Sequence, residues 1–235
     1  MKQIFVIAMA MILGGCAGSG GFNMNGAPQQ ATIAQLEYTS VGVTSKYKLG
    51  NLATGTYRSL GAEAGLVVHT GVQKISLTVD AAEHWSIETT SDRTAVKNIG
   101  LEIDIKNPYV ATVKKGNKKI GSMYFNVPSI DGTKQALKYI GLDNLIQRNL
   151  ALTGQAMIHK KGFLLDPVYT DRSGKNQSSP IGYKVTDTRH KLLGMIQVDH
   201  NAMGGQVLQV MVVPGLNPIT RQSVVSMLLV AGYAV

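Results

Sequence analysis

"NPITRQSVVSMLLVAGYAV", residues 217–235, is the stretch that decides the fold. Asn217 supplies the side-chain oxygen that an N-cap needs, and Pro218 suits the first helical turn, where its missing N–H costs nothing. From Val224 onward the segment is apolar nearly all round. A helix of that kind cannot lie on a surface and must be enclosed, by protein or by lipid. The apolar run 223–235 is short of the roughly 20 residues that cross a bilayer, so a shallow membrane-dipping tail is the only lipid alternative. The expectation is a core helix inside a sheet-rich body.

The sheet is written in the residues before it. "ISLTV" (75–79), "HWSIETT" (84–90) and "LEIDI" (101–105) alternate apolar and polar positions, the mark of half-buried strands. "YVATVKK" and "KKIGSMYF", joined through Gly116-Asn117, predict a hairpin over 109–125. "QAMIHKKGFLL" (155–165) predicts a second around Lys161-Gly162, and "IGYKVTD" with "KLLGMIQVD" (181–199) a third with "TRH" near its turn. "QVLQVMVV" (206–213) is a nearly continuous apolar strand ended by Pro214-Gly215. One more helix is expected over 131–151, where Leu137, Ile140, Leu145 and Ile146 fall near helical spacing. The fold class is thus mainly β (α+β): an antiparallel barrel or strongly curved sheet packed around the C-terminal helix. A β-sandwich with helices on one side fits the same strands.

Three of these segments, "YKVTDTRHKLLGMI" (183–196), "VLQVMVVPGLNP" (207–218) and "SVVSMLLVAGYAV" (223–235), together resemble the group of Tubby, phospholipid scramblase and LURP-one-related proteins. The likeness lies in hydrophobicity and turns near the chain's end. It implies a closed barrel around a hydrophobic C-terminal helix and contact with lipid head groups, and it implies no enzyme.

The other end of the chain is an address. Lys2 precedes an uninterrupted apolar stretch over 4–13, followed by small residues, the pattern of a secretory signal. Leu13-Gly14-Gly15-Cys16 resembles the bacterial lipobox, which implies cleavage after Gly15 and a diacylglyceryl group on the Cys16 thiol. Two or three acyl chains anchor stably where one does not. In the related sorting logic, aspartate after the cysteine retains a lipoprotein at the inner membrane. Ala17 stands there, so the expected location is the outer membrane, with the body facing the periplasm. Residues 16–30, rich in Gly, Asn, Gln and Ser, are expected to form a flexible tether, leaving 31–235 as one β-rich domain. Cys16 is the only cysteine, which excludes an intrachain disulfide and a thiolate zinc site.

Catalytic signals are thin. The five histidines show no His-x3-His spacing, so no metal or other cofactor is expected. No Gly-x-Ser-x-Gly elbow occurs. Gly174-Lys175 lacks the flanking residues of a phosphate loop, and Glu102 and Asp104 fit a solvated strand face. The charge balance says more: the chain carries a formal +9, and loss of Lys2 with the signal leaves +8. The cations gather at predicted turns: Lys114, Lys115, Lys118 and Lys119 at the first hairpin, Lys160 and Lys161 at the second, Arg189 and Lys191 at the third. If these turns share one barrel end they form a positive rim, worth about 1 kcal/mol per cation at an anionic membrane surface. The expectation is a non-catalytic envelope module, anchored through lipid on Cys16, whose rim meets anionic lipid, envelope polymer or another envelope protein. No nucleic acid is expected. An envelope hydrolase with a dispersed site and a structural part of a larger assembly are the alternatives.

Overall fold

The computed structural model describes residues 22–41, 44–64, 68–98, 101–106, 109–126, 152–177, 180–199 and 206–234. The expected helix over 131–151, and Leu13, Gly14, Gly15 and Cys16, lie outside them. The first strands are β1 (Thr32–Val41), β2 (Thr44–Leu49), β3 (Ala53–Ala64), β4 (Val68–Asp80) and β5 (His84–Asn98). Next come β6 (Leu101–Lys106), β7 (Tyr109–Lys115), β8 (Lys118–Asn126), β9 (Thr153–Ile158) and β10 (Lys161–Val168). The chain ends with β11 (Gly182–Asp187), β12 (Leu192–Asp199), β13 (Gln206–Val212) and a helix, here α1 (Pro218–Ala234).

All pairings are antiparallel, in the order β4-β3-β2-β1-β13-β12-β11-β10-β9-β8-β7-β5, and β4–β5 pairing closes the circuit. The result is a closed 12-strand barrel, with β6 continuing the pairing of β5 beyond β7. The barrel and its C-terminal helix are the architecture the apolar pattern predicts.

The helix explains the closure. Residues 224–231 are completely buried one after another, so every face of α1 is enclosed. Inward residues of the strands, among them Leu77, Ile87, Val113, Ile158, Val185 and Val210, join it in a single core. About eight strands make a lumen that side chains alone can fill. Twelve leave a wider one, and a helix about 10 Å across supplies the plug. The wall approaches the helix tightly at Gly194, where a Cβ would sit 2.6 Å from Val224 Cγ1 and 2.8 Å from the Met211 carbonyl oxygen. The helix starts as expected: the Thr220 N–H donates to Asn217 Oδ1 at 2.9 Å.

Two expectations are corrected. The tether is shorter than 16–30, because Phe22 and Met24 are buried in a second cluster with Val168, Met195 and Met211. Gly/Asn/Gln-rich composition hid two large apolar side chains, and outward methionines of the wall provided them a seat. Met24 bridges Asp171 and the Asn25 N–H donates to the Thr170 carbonyl, so residues 22–31 form a strap along the outside of the wall. The second hairpin also turns two residues earlier than Lys161-Gly162. His159 and Lys160 form the turn with φ of 48° and 62°, and Lys161 already pairs with Ile158. Gly162 drew the reading because glycine is the usual left-handed residue, but here it lies in a strand.

Because the wall is an up-and-down meander, its turns alternate between two ends. The end that starts α1 holds the turns β7–β8, β9–β10, β11–β12, β2–β3 and β4–β5. The opposite end holds the β10–β11 loop, against which the strap begins. Toward that opposite end β3, β4, β5 and β6 outrun their neighbours. Past Tyr57↔Ser45, β3 has no β2 beside it, and past Thr90↔Val110, β5 pairs with β6 instead of β7. This four-stranded arm reaches on the order of 25 Å past the wall at about 3.3 Å per residue.

Candidate functional site

The three basic hairpins of the sequence are neighbours at one barrel end, so the structure brings together all eight predicted cations. They are not equivalent. Lys114 pairs with Glu88 at 2.8 Å and Lys115 with Glu83 at 2.6 Å. Lys161 donates to Thr220 Oγ1 at 2.9 Å, tying β10 to the first turn of α1. Arg189 lies 4.0 Å from Asp187, a loose pair on a side chain that is 89% exposed. Among the described residues, Lys118, Lys119 and Lys160 make no side-chain hydrogen bond or ion pair. Lys191 offers its backbone N–H to Asp187 and leaves its ammonium outside that bond. Eight cations against Asp80, Glu83, Glu88 and Asp187 leave the rim positive. The N-terminus of α1 opens at the same end with no acidic residue in its first turn, and its partial positive charge adds to the field.

Behind the rim lies a polar hub that sequence reading missed. Glu83 Oε1 takes the Lys115 ammonium, while Oε2 accepts the indole N–H of Trp85 at 2.8 Å. His159 stands 3.9 Å from Glu83 and packs a tilted ring on Trp85 at 5.6 Å. Gln222 of α1 donates to the carbonyls of Val79 at 3.0 Å and Glu83 at 2.7 Å, and its Oε1 accepts the Glu83 N–H at 3.0 Å. Beside it an open groove of about 370 Å³ is lined by Asn51, Leu52, Asp80, Ala81, Arg221 and Gln222. The one signal for this hub was Gln222 itself, a polar residue just ahead of an all-apolar helix.

The hydrogen bond from Lys115, then that from Trp85, holds the Glu83 carboxyl below its ordinary value of 4.5. A carboxylate whose folded pKa is depressed adds stability above its unfolded pKa and loses it as pH falls through the folded one. Glu83→Gln is therefore expected to flatten the acid limb of stability, read by urea unfolding between pH 7 and pH 3. An unchanged acid limb would show that Glu83 is not the titrating group. Backbone N–H groups of Lys191 and Arg189 lower Asp187 in the same sense.

The turn at Lys160 carries strain. A non-glycine residue in the left-handed region costs roughly 1–2 kcal/mol, and His159, Lys160 and His190 all occupy it at this one end. Strained residues that persist tend to sit where function needs them. Lys160→Gly is expected to raise stability by about 1 kcal/mol, or roughly 2–4 °C in Tm, while removing one rim cation. A fall in Tm would refute the strain.

Among the described residues no group of three or more His, Cys, Asp or Glu is placed to hold a metal, and no helix is long and apolar enough to cross a membrane. Compared with protein-family models, curated proteins and solved structures, the chain matches none of them.

Proposed function

We propose that the chain is an outer-membrane lipoprotein, anchored through acylated Cys16, and that its barrel is a binding module for an anionic partner on the side away from the anchor. The observation that carries this reading is the convergence of three basic turns and the α1 N-terminus at one barrel end. The strap supplies the direction. It starts against the β10–β11 loop at the opposite end, and only five residues separate Cys16 from the seated Phe22. Six Cα–Cα steps span at most about 20 Å, too little to turn the rim back toward the anchoring surface without laying the barrel on its side. An envelope polyanion therefore suits the rim better than the head groups of the anchoring membrane. Membership in the Tubby, scramblase and LURP-one-related group is part of the proposal, supported by a closed barrel around an apolar C-terminal helix.

The test reverses four rim cations for which no side-chain bond or ion pair is found among the described residues: Lys118→Glu, Lys119→Glu, Lys160→Glu and Lys191→Glu together. Polyphosphate is the probe, and phosphatidylglycerol vesicles are the comparison. Polyphosphate affinity is expected to fall at least tenfold and to weaken with salt in the wild type, because exposed charges are screened beyond about 10 Å at 0.1 M. Wild-type binding that ignores salt, or a variant that binds as well as wild type, refutes the rim. Preference for vesicles over polyphosphate refutes the polymer reading in favour of lipid.

A further inference from the structure

Three histidines stand at the rim end, each in a turn or contact with a carboxylate that holds the rim's charge down. His84 Nδ1 meets Asp80 Oδ1 across the β4–β5 turn. His159, in the β9–β10 turn, brings Nε2 to 3.9 Å from Glu83 Oε2 and lays its ring on Trp85. His190 closes the β11–β12 turn, where its N–H donates to the Asp187 carbonyl at 2.9 Å. The Asp187 carboxylate of that turn accepts the N–H groups of Arg189 at 2.9 Å and Lys191 at 3.0 Å, on either side of His190. Three of the four rim carboxylates are thus matched by a histidine.

Imidazole is the side chain whose ordinary titration falls between about pH 5 and 8. Glu83 and Asp187 stay ionised through that window: Lys115 and then Trp85 hold the one low, and the backbone N–H groups of Lys191 and Arg189 hold the other. A proton gained on a histidine therefore adds to the charge of the rim. The groups around each histidine pull in both directions. Around His159 stand Glu83, Lys115 of β7, Lys118 and Lys119 at the β7–β8 turn, and Lys160 and Lys161 of its own hairpin. Around His84 stand Asp80 and Glu83 of its own turn, Glu88 on β5, Lys114 on β7, and Arg221 of α1, which shares a groove with Asp80. Around His190 stand Asp187, Arg189 and Lys191 of its own turn, with Lys161 on the neighbouring β10. The carboxylates favour the charged imidazolium and the lysines and arginines oppose it.

We infer that the rim is gated by acid: it holds its anionic partner tightly below about pH 6, with protons taken up on His84, His159 and His190, and lets it go near pH 8. The inference rests on the reading of the rim as an anion-binding face. A polyanion lying on the turns relieves the repulsion that the surrounding cations impose. Each proton then favours binding, and binding favours each proton by the same factor. At His159 the proton has a second effect. Glu83 Oε1 holds Lys115 at 2.6 Å while His159 Nε2 stands just beyond contact with Oε2. A charged His159 closes on Glu83 and competes with Lys115 for it, which frees the ammonium for the partner. The charged ring also keeps a favourable seat on the indole face of Trp85.

The test uses the full-length protein in non-ionic detergent and dextran sulfate as the probe, because sulfate esters keep their charge across the range. Wild-type affinity is expected to rise about tenfold or more from pH 8.0 to pH 5.5 at fixed ionic strength. Proton uptake is expected to appear as a binding heat that depends on the ionisation heat of the buffer. The variant His84→Gln/His159→Asn/His190→Asn places asparagine at the two left-handed positions, which it tolerates. Its affinity is expected to rise less than about threefold over the same range. A wild type that binds equally at both pH values, or a triple variant that keeps the full rise, overturns the gate and leaves the rim standing. Absence of binding at either pH overturns the rim and the gate together. Should the triple variant fail to fold by circular dichroism, His159→Asn alone is read through Trp85, the only tryptophan. Imidazolium quenches an indole on which it lies, so wild-type emission is expected to fall between pH 8.0 and pH 5.5 and that of the variant to stay level. Wild-type emission that ignores pH overturns the inference.

Discussion

Gln222→Leu is expected to cost about 3–5 kcal/mol, close to the largest effect a single side chain of this size produces. Gln222 is 1% exposed and makes three hydrogen bonds, two donated and one accepted, all to the backbone around the β4–β5 turn. Leucine keeps the volume and removes every one. Each orphaned buried group costs about 1–3 kcal/mol. The Glu83 carbonyl is partly spared, since it also accepts the Ala81 N–H at 3.3 Å. The damage has a built-in reporter. Trp85 is the only tryptophan, it is fully buried, and its indole N–H is held by Glu83, whose backbone Gln222 fixes. The variant should therefore show a red-shifted, more quenchable emission together with a lower urea midpoint. A midpoint within about 1 kcal/mol of wild type would mean that water replaces the amide and that the turn does not depend on α1.

That hub marks where the sequence stopped being legible. The barrel was readable because its evidence is periodic: Trp85 and Ile87 were expected on one face and are both completely buried. α1 was readable because apolarity on all sides has one structural meaning in a chain this rich in strands. The common end of the basic turns was only a condition in the sequence, and the strand order meets it, since alternate turns of a meander share an end. What could not be read was pairing. Lys114 and Lys118 look alike in sequence, yet one is held by Glu88 and the other has no partner among the described residues, because a strand neighbour at a separation of 26 residues decides it. The strap failed for a related reason. Composition argues for a tether, while the seat for Phe22 and Met24 is assembled from Val168, Met195 and Met211, distant in sequence and on three strands. The turn at His159-Lys160 was misplaced because local propensity favoured Gly162, and the register fixed by β8 and β11 on either side overrode it.

Leu228→Ala is expected to destabilise the protein by about 2–5 kcal/mol, the range for a large-to-small change in a core that cannot collapse around the loss. Leu228 is completely buried and belongs to the core that joins α1 to the wall, and a closed barrel is a poor vessel for relaxation. Its strands are tied on both sides, so the wall moves inward only by breaking ladders. At Gly194 the wall already approaches as near as a backbone without Cβ allows, with Leu228 Cδ1 3.2 Å from where that Cβ would be. The void left by alanine therefore persists. For a domain of this size the loss corresponds to a drop of roughly 5–15 °C in Tm. The result also separates the two readings with which an apolar helix begins. A tail dipping into lipid would lose little folding stability on this change and would lose membrane affinity instead. A core helix does the reverse, lowering Tm in detergent and on vesicles alike and leaving membrane association, on the proposed reading, to the acyl group of Cys16. If Leu228→Ala leaves Tm unchanged and releases the protein from vesicles, α1 is not the plug of this barrel, and the closure of twelve strands around it loses its physical cause.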